Sequence, residues 1–242
     1  MNEVSSSGMP LDGSTEALVV VIDGPSGTGK SSVSKAVAQQ LGVGYLDTGA
    51  MYRALTWWCV DRGLALADQD AVALEALTFP LSMGSDPTSP TVLVADRDIA
   101  AAIREPSISM AVSTVATNLG VRDHLRDRQR ELIARISDAT GGVIAEGRDL
   151  TTVVAPDATV RILMTASEEA RIARRAGELS TTAAATRAQV VDRDARDSTV
   201  AAFMQAADGV VTVDTSDLDF DGSVQAVLAV VRNGRDGGAP QP

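Results

Sequence analysis

One octapeptide constrains this chain more than any other feature. Gly24-Pro25-Ser26-Gly27-Thr28-Gly29-Lys30-Ser31 directly follows a continuous apolar run, Ala17–Asp23 (ALVVVID). It leads into Ser31–Leu41, where Val33, Ala36, Val37 and Leu41 recur at helical spacing and Gly42 stands where a helix cap belongs. An apolar run without polar alternation reads as a strand buried on both faces, so the segment is expected to fold as strand, glycine-rich turn and helix within a parallel sheet. Glycines let backbone N–H groups converge on a phosphate without Cβ clashes, and the helix N-terminus adds a positive partial charge at the same point. Gly24, Pro25, Ser26, Gly27, Thr28, Gly29, Lys30, Ser31 and Ser32 are therefore the candidate ATP-binding residues. Lys30, reaching the β- and γ-phosphates, is a candidate catalytic residue, and the Ser31 hydroxyl is the candidate ligand for Mg²⁺. The motif alone does not separate a kinase from a GTPase or a motor ATPase. A GTPase would carry a base-reading N-K-x-D, which is absent, so a kinase leads.

The rest of the chain alternates short apolar runs with helical patterns. Strands are expected at Gly44–Asp47, Gly142–Ala145, Val160–Thr165 and Val210–Asp214. Helices are expected at Ala50–Arg62, Pro106–Leu119, Arg122–Ser137, Ser167–Leu179 and Gly222–Arg232. The implied fold is α/β: a three-layer arrangement with a parallel sheet of about five strands flanked by helices. From about Asp68 to Glu105 the rhythm breaks, with Pro80, Pro87, Pro90 and the short runs FPLSM and TVLVA, which read as a small β-containing insertion. A lid is expected over about 171–203, residues 17–232 form one domain, and 1–16 and 233–242 read as disordered tails.

Net charge narrows the partners. With 21 basic against 32 acidic residues the chain carries −11, which argues against a nucleic-acid or membrane-surface protein. One cysteine (Cys59) and one histidine (His124) exclude an internal disulfide and a zinc set, and no apolar run approaches membrane-spanning length. The cytoplasm and a monomer are the expectations. In so acidic a chain, clustered arginines are informative: Arg122, Arg126, Arg128 and Arg130; Arg171, Arg174 and Arg175; Arg187, Arg193 and Arg196.

Three further segments suit an anionic acceptor. Tyr45-Leu-Asp-Thr-Gly-Ala-Met-Tyr-Arg53 follows the second strand, Glu146-Gly-Arg-Asp149 the third, and Arg193-Asp-Ala-Arg-Asp197 lies beyond the Ser167–Leu179 helix. Loops at the carboxyl ends of strands in an open α/β sheet meet at the ligand crevice. With IDGPSGTGKSS, YLDTGAMYRAL, EGRDLTTVVAPDA, DRDARDS and AADGVVTVDTS in place, the chain resembles the bacterial cytidylate kinases, a branch of the nucleoside monophosphate kinases, over nearly all of Ala17–Arg232.

That resemblance implies ATP-dependent phosphorylation of CMP or dCMP, with the insertion as the acceptor-binding subdomain. It implies that Thr48 lies near the CMP phosphate, that Arg53 and Arg148 bind it, and that Ser113, Arg122 and Asp149 read cytosine. Arg193 and Asp197 would hold the pentose and close the lid, and Arg148, Arg193 and Asp197 would join Lys30 as catalytic residues. An independent argument agrees: a carboxylate at Asp149 accepts from the exocyclic amine of cytosine, where uracil presents a carbonyl.

One departure stands out. The family continues its lid motif as D-S-x-R and a Pro-Leu segment; here Asp197-Ser-Thr-Val200-Ala-Ala-Phe203 lacks both the arginine and the proline and is shorter. Arg196 or Arg187 could substitute, Arg171, Arg174 and Arg175 could suffice, or activity could be reduced. Outside these motifs, His124 reads as a structural or solvated histidine, Cys59 as a small buried hydrophobe, and Trp57 and Trp58 as core, one of which could wall the acceptor pocket. The rival readings are a P-loop kinase for UMP, AMP or a non-nucleotide, and a catalytically weak nucleotide-binding protein.

Overall fold

In a computed structural model describing residues 17–179 and 183–235, the apolar run Leu18–Asp23 is β1 and the helix after the glycine-rich turn is α1 (Lys30–Leu41). The chain continues through β2 (Gly44–Asp47), α2 (Thr48–Asp61), α3 (Gln69–Thr78), and the short strands β3 (Leu81–Met83), β4 (Val92–Val94) and β5 (Arg97–Asp98). After a 3-10 turn at Ala102–Arg104 come α4 (Pro106–Ala116), α5 (Leu119–Thr140), β6 (Gly142–Gly147), one π turn (Leu150–Val154) and β7 (Val160–Thr165). The chain ends with α6 (Glu168–Leu179), α7 (Ala183–Asp197), β8 (Val211–Asp214) and α8 (Phe220–Arg235).

The expected parallel sheet is present, with five strands in the order β2-β6-β1-β7-β8. β1 is central, which is why every residue of Val20–Asp23 is buried and why its sequence shows no polar alternation. Leu18, Val20 and Ile22 join Val33, Val37, Val227 and Val231 on the face covered by α1 and α8. Val21 and Ala145 face the opposite core, built with Leu55, Val112, Leu125 and Ile133 from α2, α4 and α5. Because β1, β2 and β6 run parallel, the loops after Asp23, Asp47 and Gly147 emerge at one end.

The insertion holds the expected β structure as a three-stranded antiparallel sheet, β3-β4-β5, preceded by a helix the sequence patterns did not suggest. Val72, Ala76, Phe79, Leu81, Val94, Ile99 and Ile103 from this segment share the core of α2, α4 and α5, so the insertion is packed into the body of the domain. The helix expected at 106–119 stops at Ala116, because Asn118 caps a new one: its Oδ1 accepts from Val121 N at 3.2 Å. Much of the lid segment is helix α7. α8 runs on to Arg235, so the C-terminal tail does not begin at 233; the expected tail at 1–16 and the rest of 236–242 lie outside the described residues. Among the described residues no helix is long and apolar enough to cross a membrane.

Asp23 joins the phosphate-loop strand to the loop after β6. Its carboxylate, fully buried, accepts from Leu150 N at 3.1 Å, Thr151 N at 2.7 Å and Thr151 Oγ1 at 2.8 Å, and so fixes the start of the π turn. Burial pushes this carboxyl up to about 6, against the hydrogen bonds of Thr151 and Leu150, which pull it down. A carboxyl raised on folding costs stability as pH climbs; the cost is absent below the unfolded value and complete above the folded one. The stability of Asp23→Asn relative to the parent should therefore rise by about 2 kcal/mol between about pH 4.5 and pH 7.5, read by urea unfolding at both. A gap that does not change with pH would contradict this placement of the charge.

Candidate functional site

The nucleotide end of the site is built from backbone. Gly24, at φ 153°, runs so close to β7 that a Cβ would lie 2.1 Å from the Met164 carbonyl oxygen, so only glycine fits. Gly29 (φ 86°) is the N-cap of α1 and supplies no side-chain cap, which leaves the first-turn N–H groups of the helix for an anion. Lys30 Nζ donates to the Pro25 carbonyl at 3.3 Å. Burial lowers the Lys30 ammonium below its usual range, and the nearby Glu146 carboxylate opposes that shift.

Beside it stand two acidic groups that sequence reasoning passed over. Asp47, at the end of β2, caps α2 through Ala50 N at 2.8 Å and pairs with Arg53 Nη2 at 2.8 Å. Burial works to raise its carboxyl, and Arg53 with the cap hydrogen bond more than offsets this, holding it below the usual carboxylate range. Glu146, its register partner on β6, accepts from Tyr45 Oη at 2.5 Å and engages the Ser31 hydroxyl. Burial first and then Asp47 push the Glu146 carboxyl up. Thr48 Oγ1 donates to the Glu146 carbonyl at 2.7 Å.

The opposite side of the site is a cluster of arginines. Arg148 pairs with Asp194 at 3.0 Å and Asp197 at 2.6 Å, and Arg193 lies 3.6 Å from Asp197. Burial, then the charges of Arg148 and Arg53, lower the Arg193 guanidinium to about 10. Asp194 also accepts from Ser26 N at 3.1 Å and pairs closely with Arg171 Nη1, which itself donates to the Ser26 carbonyl at 3.0 Å. Deeper in, Arg122 Nη2 meets Asp149 Oδ2 at 2.6 Å with Arg126 Nε at 3.3 Å, all beside Tyr52. Burial and then Asp149 raise the Tyr52 phenol to about 12.

One cleft of about 610 Å³ brings these parts together. Of the residues singled out from sequence, Ser26–Ser32, Thr48, Arg53, Arg122, Arg148, Asp149, Arg193 and Asp197 line it. Gly24 and Pro25 do not line it. Ser113 does not line the cleft; it is buried with no partner for its hydroxyl, behind Ser109, Val112 and Ala116, which do line it. Sequence reasoning missed Tyr52 and Arg104 as lining residues; Trp57 and Trp58 pack against the apolar core as expected, and neither walls the cleft. Trp58 Nε1 instead donates to Glu75 at 2.9 Å, and Arg97 stacks over Trp57.

The proposed stand-ins for the missing lid arginine divide sharply. Arg196 is exposed and its Nε donates to the Asp192 carbonyl at 3.1 Å, while Arg187 is exposed and pairs with Glu168 at 2.8 Å; neither lines the cleft. Arg171 is spent on Asp194 and Ser26, and Arg174 on the carbonyls of Thr28 and Leu218 at 3.2 and 3.1 Å. Among these five, Arg175 alone lines the cleft.

The chain matches the family model for cytidylate kinase over residues 20–233. A cytidylate kinase of Streptomyces avermitilis is 45% identical over 221 residues, spanning 90% of this chain and 94% of that protein. One from Rhodococcus opacus is 44% identical over 224 residues, spanning 90% and 96%.

The buried pair of Arg122 and Asp149 generates a stability prediction. Asp149→Asn leaves two arginines facing a neutral group in a site only 4% exposed, and stranding a buried charge is expensive. The variant should lose about 3 kcal/mol of unfolding free energy in urea, and Asp149→Asn with Arg122→Met should recover most of it. A loss under about 1 kcal/mol would show that the pair is solvated as a surface bridge is.

Proposed function

This chain belongs to the cytidylate kinase family, and we propose how its own residues carry out the family's reaction, transfer of the γ-phosphoryl of ATP to CMP or dCMP. The observation that carries the reading is the convergence of Arg53, Arg148 and Arg193 in one cleft beside the phosphate loop, in a protein whose net charge is −11. Like charges at ~4 Å repel by about 4 kcal/mol at an effective dielectric of 20, so such a cluster is stable only when shared with anions. Asp47, Asp194 and Asp197 supply part of that charge, and two approaching phosphates supply the rest.

The backbone N–H groups of Gly27–Ser32 and the start of α1 hold the ATP phosphates, and Lys30 follows the charge that builds as the γ-phosphoryl moves. The described residues include no group of three or more acidic, histidine or cysteine side chains able to cage a metal alone. Ser31 with Glu146 beside it instead suits Mg²⁺ held chiefly by the nucleotide phosphates, where it would neutralise charge on the β- and γ-oxygens. Arg53 and Arg148 hold the CMP phosphate in line, Thr48 lies next to it, and Arg193 and Asp197 hold the pentose with the Arg193 charge close to the transferring group. Arg122 and Arg126 both bind Asp149 Oδ2, and Oδ1 is the acceptor we assign to the exocyclic amine of cytosine; Ser113, which does not line the cleft, is given no contact. The protein acts as a monomer on free nucleotides, away from nucleic acid and membranes, in keeping with its acidic surface.

Lys30→Ala should lower turnover about 10²-fold or more without unfolding the protein, because one transition-state donor is lost. In a coupled ADP assay the parent should favour CMP and dCMP over UMP, AMP and shikimate by at least about tenfold in kcat/KM. Near-normal turnover of folded Lys30→Ala, or equal rates with UMP, would overturn this assignment.

A further inference from the structure

The stretch that departs from the family pattern, Val200-Ala-Ala-Phe203, ends in a residue with an unusual position. Phe203 is fully buried, yet it belongs to neither apolar core of the molecule. It lies instead under Arg148, whose guanidinium carbon sits 4.5 Å from the centre of the ring. Asp194 and Asp197 hold the same guanidinium through its nitrogens, at 3.0 and 2.6 Å. A ring on the face and carboxylates on the nitrogens leave Arg148 little freedom to rotate, while its plane remains available to oxygen acceptors. The negative face of the ring also offsets the mutual repulsion of Arg148 and Arg193.

We propose that Phe203 is a positioning residue for phosphoryl transfer: by stacking on Arg148 it fixes the guanidinium that takes the acceptor phosphate. Where the family pattern adds a lid arginine, this chain carries Val200 and instead places an aromatic ring against a cation it already has. The inference rests on the reading of Arg148 as a phosphate clamp. A ring that only filled space would be replaceable by any side chain of its volume. A ring that acts through its π-electrons is sensitive to their density at constant shape.

The test is a series of fluorinated phenylalanines at position 203 (4-fluoro, 3,5-difluoro and 3,4,5-trifluoro), with Phe203→Met as the non-aromatic member. CMP and a non-hydrolysable ATP analogue are titrated calorimetrically. CMP dissociation constants should rise stepwise along the series, reaching about 5- to 30-fold for Phe203→Met, while the ATP analogue binds as before. On an Arg148→Ala background the Phe203→Met change should add less than about twofold, since the coupling partner is gone. Flat CMP affinity across the fluorinated series, or an equal Phe203→Met loss in both backgrounds, would reduce Phe203 to packing and leave the clamp reading standing. If Arg148→Ala alone left CMP affinity intact, both the clamp and its positioning by Phe203 would fall.

Discussion

The site depends on Asp194. One buried carboxylate accepts from the Ser26 amide of the phosphate loop and pairs with Arg148 after β6 and with Arg171 on α6, while itself sitting on α7. Four chain segments that are far apart in sequence are thereby held around one negative charge. A single carboxylate can do this because its two oxygens offer about four acceptor positions, and because each partner presents an N–H donor to it. Its consequence is electrostatic. The arginines of the cleft are neither dispersed into solvent nor fully neutralised; burial, and after it the charges of Arg148 and Arg53, drives Arg193 down to about 10.

Much of this was legible in the residues, for identifiable physical reasons. β1 could be placed because a central parallel strand must be apolar on both faces, and ALVVVID is. The phosphate loop could be placed because its glycines mark where the backbone needs them: Gly24 has no room for a Cβ, and Gly29 adopts a left-handed conformation that other residues rarely take. Thr48 and Arg148 could be placed because each follows a strand that ends at the same edge of the sheet.

What escaped notice was of two kinds. α3 was missed because QDAVALEALT has no clear helical stripe, although Asp68, whose carboxylate caps it through Ala71 N at 3.1 Å, was a readable start signal. The break between α4 and α5 was likewise announced by Asn118. The second kind could not be read locally. Arg196 and Asp194 both belong to a run of alternating charges, DRDARD, and nothing in that run says which residue turns inward; the helical phase of α7 against the phosphate loop decides it. Tyr52 was hidden on α2 because it belongs both to the apolar core and to the cleft wall, whereas Trp57 and Trp58 could be placed in the core from their apolar surroundings.

We take the buried arginines to be an acceptor-phosphate site, so the phosphate of CMP should carry a large share of its affinity. Comparing CMP with cytidine by calorimetry isolates that claim, since the two ligands differ only in the phosphate. Removing it should weaken binding by about 10²-fold or more, as expected when two or three charge-assisted contacts are lost. The difference should shrink at least about tenfold in Arg148→Ala. Cytidine binding as tightly as CMP, or a difference that Arg148→Ala leaves untouched, would contradict it.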